Sequence, residues 1–439
     1  MRLFYILLIS TILYGCSFDN KSGIWNNYNT PKKKVNQYSD FKTLSLETEN
    51  FNQIIQLKEY TNLKIEKSQN ILDWKDFYFS KENNFRNFLY NDLNKLRYRS
   101  KKITSYKLNN YIVAENDKLI LSDEQGSLIV FSLFEGKIIK KYNFYKNKFK
   151  KIKKHLYFAI DKNIIYVADN IGYLYAYNID KDKIVWAKNL KVPFRSNLKI
   201  INNKIVISSQ NNNLFYFDKK GNQLVLIPTE ETIVKNEFIN NISSSNESTF
   251  FLNTYGSIYS IDNNRFKMNW FINLNQSIDL NTSNQFNGSE VINFEKAIVI
   301  SSNKNTFVIN KTTGTIEFKK KFSSIIKPLI SNNLLFLISK NNLLICMNIK
   351  NGNILYSYNI NEKIAEFLNV KKRKVEFNSM MLLNSKIFIF LKNSYVLKFK
   401  LNGNLEKIIK LPTKIASKPI IIDKSILYVD SNNKLSVID

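Results

Sequence analysis

Residues 163–190 read NIIYVADNIGYLYAYNIDKDKIVWAKNL: an apolar run, a turn, a tyrosine-rich run, a second turn, and a short run that carries a tryptophan. Seven relatives of this segment lie along the chain, at 118–144, 204–227, 249–274, 297–322, 334–360, 386–411 and 425–439. The first apolar residue after the first turn of each unit is Leu128, Leu174, Leu214, Ile258, Phe307, Leu344, Val396 and Leu435. Their period of about 44 residues suits a four-stranded blade. The apolar runs are short, β-branched or aromatic, and bounded by Asn, Asp, Gly and Lys, which is the composition of strands. Several lack polar alternation, as expected of a sheet covered on both faces. Turn pairs such as Gln125-Gly126, Lys220-Gly221, Thr313-Gly314 and Asn402-Gly403 stand where hairpins need them. Helical periodicity is hard to find after residue 100. The expectation is an all-β, eight-bladed β-propeller of four-stranded antiparallel blades over 70–439, with a β-sandwich pair or a parallel β-helix as the alternative.

The eighth unit stops at Asp439 after two strands. A closed ring must complete that blade from elsewhere or leave an unpaired edge. The segment 70–80, NILDWKDFYFS, is expected to close the ring as an N-terminal strand, with Trp74 in the role that Trp186 and Trp270 hold in their own units.

Chemistry is sparse. His155 is the single histidine, in a basic stretch expected at the surface, so His-based triads and multi-histidine metal sites are excluded. Asp169, Asp180, Asp218 and Asp262 sit in turns, where backbone hydrogen bonding accounts for them. No Gly-rich phosphate loop or nucleophile elbow is present. No catalytic, cofactor-binding or metal-binding residue is therefore expected. The 65 Lys+Arg against 36 Asp+Glu give a net charge of +29. These lysines are scattered among Asn and Ile rather than gathered in a stripe, and no nucleic-acid motif accompanies them, which argues against a nucleic-acid partner. Attraction to anionic head groups is a secondary consequence.

The chain opens MRLFYILLISTILYGCSFDN. The apolar stretch Leu3 to Leu13 is too short to cross a bilayer comfortably. Leu13-Tyr14-Gly15-Cys16 resembles the lipobox of bacterial lipoproteins. The resemblance implies a signal peptide over 1–15, cleavage between Gly15 and Cys16, and acylation of Cys16; several acyl chains together anchor a protein stably where one does not. Ser17, where Asp would favour inner-membrane retention in that family, is compatible with outer-membrane sorting. With Cys16 committed to lipid, Cys346 has no disulfide partner and is expected as a buried thiol. Residues 16–69 are read as a tether, with 41–67 more mixed than the rest.

The pattern in DNIGYLYAYNIDKDKIVWAKNL (169–190) resembles the pyrroloquinoline-quinone-type propeller repeat, in which an outer-strand tryptophan docks on the neighbouring blade. Trp186 and Trp270 keep that aromatic, and Leu226, Phe318, Tyr356 and Ile408 are expected to replace it. Eight such units behind a lipobox are similar to the BamB family of outer-membrane β-barrel assembly lipoproteins. That resemblance implies a non-catalytic scaffold facing the periplasm, with no cofactor and no small-molecule substrate. It also implies a BamA-like central assembly protein as partner, bound through loops near the middle blades. The matching segments are Pro228–Glu247 and Asn275–Glu295, and Phe238 and Ile239 are the apolar residues expected to contribute. The alternatives are another periplasmic lipoprotein propeller serving an envelope complex or the wall, and, more remotely, a quinone-dependent dehydrogenase.

Overall fold

The computed structural model describes residues 16–18, 25–27, 51–59, 61–145, 149–231, 239–275, 286–302 and 304–439. Two compact units divide at Glu49 and Asn50. In the first, Cys16–Phe18 and Trp25–Asn27 pair antiparallel. The second is a ring of eight sheets, each ordered from an inner to an outer strand. The inner strands are Val113–Glu115, Leu156–Asp161, Lys199–Ile201, Asn241–Ser244, Ile292–Phe294, Leu329–Ser331, Phe377–Leu383 and Ile420–Ile422, and they number the blades 1 to 8.

Burial follows from the stacking. Second and third strands such as Leu334–Ile338 and Leu343–Asn348 are buried along nearly their whole length, because each lies between two neighbouring blades. Outer strands such as Lys183–Asn189 alternate between half-buried and exposed. The turns after the second strands are held by side chains. Asp169 accepts the N–H groups of Ile171, Gly172 and Tyr173 at 2.7–2.8 Å, so this carboxylate rigidifies a turn rather than waiting for a ligand.

Blades dock through one recurring contact. Each outer strand has a register shift, and the residue just after its bulged position, such as Trp186, Trp270 or Phe318, faces the next blade. Trp186 donates from Nε1 to Lys219 O at 2.9 Å, and Trp270 to Lys311 O at 3.0 Å. Each indole covers a glycine in the next blade. Gly221 has φ +86°, and a Cβ there would lie 2.8 Å from the Trp186 ring. Where a blade has lost the glycine, the docking residue changes with it. Blade 2 has Asp182 (φ 49°) at the turn, and blade 1 meets it with Lys140 at 3.1 Å. Blade 4 has Phe266 there, and blade 3 offers the smaller Val225, which packs in the same apolar cluster. Register therefore corrects two expectations: Val225 and Lys407, not Leu226 and Ile408, occupy the docking position in blades 3 and 7.

An N-terminal strand closes the ring, but it is Leu96–Arg99 rather than 70–80. It pairs antiparallel with Leu435–Ile438. Tyr98 takes the docking role, donating to Gly136 O of blade 1 at 2.6 Å. Arg99 holds Asp430 through Nε at 3.1 Å and Nη2 at 2.5 Å.

Segment 70–91 instead fills the axis and bonds to every blade in turn. Trp74 exchanges both backbone bonds with Ala114 of blade 1, and Lys75 O accepts from Ile160 N of blade 2. Asp76 meets Lys199 of blade 3 at 2.9 Å. Lys81 O and Glu82 O accept from Ser244 N and Asn293 N of blades 4 and 5. The Asn84 side chain brackets Ile330 of blade 6 from both sides. Asn87–Phe88 adds a parallel strand to blade 7, and Asn91 N reaches Lys424 O of blade 8. The rings of Trp74, Phe79, Phe85 and Phe88 meet at centroid distances of 5.0–6.2 Å. Within the span read as a tether, Phe51 N bonds to Lys321 O of blade 5, and Ile55 exchanges backbone bonds with Ser357 and so covers the outer edge of blade 6.

Candidate functional site

Four antiparallel strands return the chain to the side it started from, so every connector from one blade to the next emerges on the same face. This loop face is where the sequence places its interaction residues. In the connector from blade 3 to blade 4, residues 232–238, and with them Phe238, lie outside the described residues. Ile239 is exposed at 41 %. It is positioned by its neighbour Asn240, whose backbone N–H bonds to Arg195 O at 3.0 Å and whose side chain donates to Ser208 Oγ and Ser209 O.

The other end of that connector is clamped. Glu230 accepts from Ser257 Oγ and Asn253 Nδ2 at 2.7 Å and from the Tyr259 hydroxyl. Asn212 donates to the backbone Glu230 O at 3.0 Å, so blade 3 holds the main chain of this residue while blade 4 holds its carboxylate. Burial by itself raises the Glu230 carboxyl, but the hydrogen bonds from Ser257, Tyr259 and Asn253 outweigh it and hold the group below its ordinary value. Glu230→Gln replaces an acceptor by a group that also donates, facing three donors. At neutral pH it costs about 1 kcal/mol, below the usual range for charged hydrogen bonds because water still reaches the group. A depressed carboxyl contributes stability above its unfolded pKa and loses it as pH falls through the folded value, so denaturant midpoints of the two proteins converge below roughly pH 4.

In the connector from blade 4 to blade 5, residues 276–285 lie outside the described residues. Phe286 is buried against Gly256 and Gly288, and it leads to Glu290 at the axial mouth. There Glu290, Lys327, Lys418 and Tyr111 line a cleft of about 390 Å³ with Ser289, Ser302 and Ser324. Lys327 donates to Asn83 O at 2.7 Å and stands over the Phe85 ring, and burial lowers its pKa well below the ordinary lysine value. Sequence reasoning missed this group. Its signal was the recurrence of Lys-Pro immediately before an inner strand, at Lys327-Pro328 and Lys418-Pro419.

The remaining residues singled out in the sequence are dispersed. Cys16 stands on the first strand of the N-terminal pair, and Gly15 lies outside the described residues. Trp74 is buried at the axis, while Trp186 and Trp270 lie between blades. His155 is exposed, and Cys346 is fully buried, which pushes its thiol up.

Among the described residues, the axis does not fit a quinone and its cation. Beneath the mouth, the axial void among Trp74, Phe77, Tyr78 and Phe85 is about 40 Å³, against the roughly 300 Å³ at which ligand pockets begin. The wider cleft above it presents one carboxylate beside three lysines. Among the described residues no three His, Cys, Asp or Glu side chains converge as metal ligands.

Fold and axis together define a closed eight-bladed propeller whose centre is packed with its own chain. The sequence model of the family described as outer membrane protein assembly factor BamB matches residues 146–358, and the chain is a BamB-like propeller of pyrroloquinoline-quinone-type repeats. BamB from Moraxella catarrhalis superposes with a TM-score of 0.61 at 12% identity, over 77% of this chain and 99% of that one. Quinohemoprotein alcohol dehydrogenase from Comamonas testosteroni gives 0.59 at 10% identity, over 83% and 80%. A europium-containing methanol dehydrogenase gives 0.57 at 10% identity, over 83% and 89%. At such identities these structures share the fold. By sequence, no curated protein matches the chain.

Proposed function

We propose that the chain is a non-catalytic scaffold subunit of the machinery that assembles outer-membrane β-barrel proteins, held by lipid on Cys16 at the periplasmic side of the outer membrane. It docks a BamA-like central assembly protein through the loop face, with the connector that carries Phe238 and Ile239 as the first contact. The observation that carries this reading is the match of blades 2 to 6 to the assembly factor BamB. The packed axis supports it against the dehydrogenases that share the fold, because a ring filled by Trp74 and its aromatic neighbours has no chamber for a cofactor. A rigid ring then serves by presenting loops at fixed spacing.

Affinity capture of the full-length chain from solubilised envelopes tests the reading. The central barrel-assembly protein is expected among the recovered chains, and Ile239→Arg is expected to reduce its recovery without changing the melting temperature. Reproducible absence of that protein, with the ring intact and other envelope proteins recovered, would overturn the assignment in favour of a different envelope complex.

A further inference from the structure

The connector between blades 6 and 7 holds a helix, Ile360–Leu368, in the part of the chain where helical periodicity is hard to find. Asn359 caps it, accepting from Asn361 N and Glu362 N, and Asn369 ends it in the left-handed region. Ile360 is buried and Ile364 half-buried against the core, which fixes the helix to the ring. Its far end faces water: Phe367, Leu368 and Val370 are 49, 49 and 54 % exposed. Lys371, Lys372, Arg373 and Lys374 follow at once, all exposed. Of these four, Lys372 is paired, with Glu362 at 2.6 Å. Cations beyond a helix C-terminus complement its dipole, but that leaves the three exposed apolar side chains unexplained.

We propose that this connector is a lipid-contacting element. Phe367, Leu368 and Val370 enter the interfacial layer of an anionic bilayer while Lys371 to Lys374 lie against the phosphate head groups, the pairing of apolar and basic residues that surface-bound segments use. Its place in the ring agrees. Asn342 O accepts from Ile360 N at 2.9 Å, and the adjacent Asn341 side chain donates to Phe51 O at 3.2 Å. One turn thus carries both the start of the helix and the point where the N-terminal chain joins the ring. With acyl chains on Cys16 providing attachment, which rests on the proposed function, the connector sets which side of the ring meets the membrane.

The vesicle test is independent of the lipid anchor. It uses residues 50–439, which form one compact unit with a ring closed by its own strands. Vesicles of phosphatidylethanolamine and phosphatidylglycerol are expected to co-sediment the protein, and phosphatidylcholine vesicles to do so much less. The triple change Phe367→Ser, Leu368→Ser, Val370→Ser, which leaves the charge unaltered, is expected to weaken binding by about tenfold or more. Replacing Lys371, Lys372, Arg373 and Lys374 by Gln is expected to do the same and to remove the salt dependence. Lys101→Gln, Lys102→Gln, Lys107→Gln, made on another connector, is expected to leave binding within about twofold. The proposal is overturned if the ring ignores anionic vesicles, if the triple-serine protein binds as well as the parent, or if the second lysine set costs as much as the first, since binding would then follow net charge alone.

Discussion

Trp74→Ala is expected to lower the stability of the ring by about 3–5 kcal/mol, the range for deleting a large buried aromatic. Its melting temperature then falls by roughly 4–6 °C, because the unfolding entropy of so large a unit dilutes the loss. The indole is 1 % exposed and lies 5.0–5.7 Å from the rings of Phe79, Phe85 and Phe88. These residues belong to a segment that touches all eight blades, so a void at Trp74 loosens the axis rather than one sheet. Nε1 of Trp74 has no hydrogen-bond partner. Trp74→Phe should therefore recover most of the loss, because packing and not polarity is what the indole supplies. Differential scanning calorimetry on the three proteins decides the matter. A Trp74→Ala protein that melts with the parent would mean that the plug is a passenger on a ring already held by Leu96–Arg99.

That division between plug and closing strand is where the sequence was hardest to read. The blades were legible because each rests on local signals, strand runs and hairpin turns, that recur eight times and support one another. The need for a borrowed strand was legible too, since the last unit stops short. Its identity was not. The strand that closes the ring reads Leu-Arg-Tyr-Arg and is exposed along nearly its whole length, so it carries no apolar pattern. Backbone pairing with the last strand, Tyr98 on Gly136 and Arg99 on Asp430 select it, and the first and third depend on residues hundreds of positions away. Segment 70–80 looked better because it is aromatic, yet Trp74 and Phe79 pack on each other and on Phe88 while Phe77 packs on Tyr111 and Phe158, so its aromatics follow no strand period. Asn83, Asn84 and Asn87 carry no signal in the sequence, but in place they act as surrogate backbone, the first two satisfying carbonyls of blades 4, 5 and 6 and Asn87 bonding to Glu66 O and Ser385. The loop-face cleft was hidden for the same reason: Glu290, Lys327 and Lys418 come from three connectors that only ring closure brings together.

The second large effect is electrostatic. Lys199 is fully buried on the inner strand of blade 3, and its ammonium donates to Asp76 at 2.9 Å and to Ser80 O at 2.7 Å. Asp76, on the plug, also accepts from Tyr78 N at 2.8 Å. Burial pushes the Asp76 carboxyl up and the Lys199 ammonium down; their mutual attraction opposes both shifts, helped by Tyr78 N–H at Asp76 and by Glu82 at Lys199. Lys199→Met leaves a buried carboxylate without its cation and is expected to cost about 3–5 kcal/mol in chemical denaturation. Adding Asp76→Asn removes the stranded charge while keeping an acceptor for Tyr78 N, so the double variant should regain most of that loss. The pH dependence has a definite sign. In Lys199→Met the carboxyl rises further, so the folded state binds a proton that the unfolded state releases near pH 4. Its deficit relative to the parent therefore shrinks as pH is lowered from 7 toward 4, whereas the double variant shows no such recovery. If the two substitutions instead add without coupling and the single variant's deficit holds constant with pH, the plug is fixed by shape alone, and the ion pair contributes nothing to holding it across the axis.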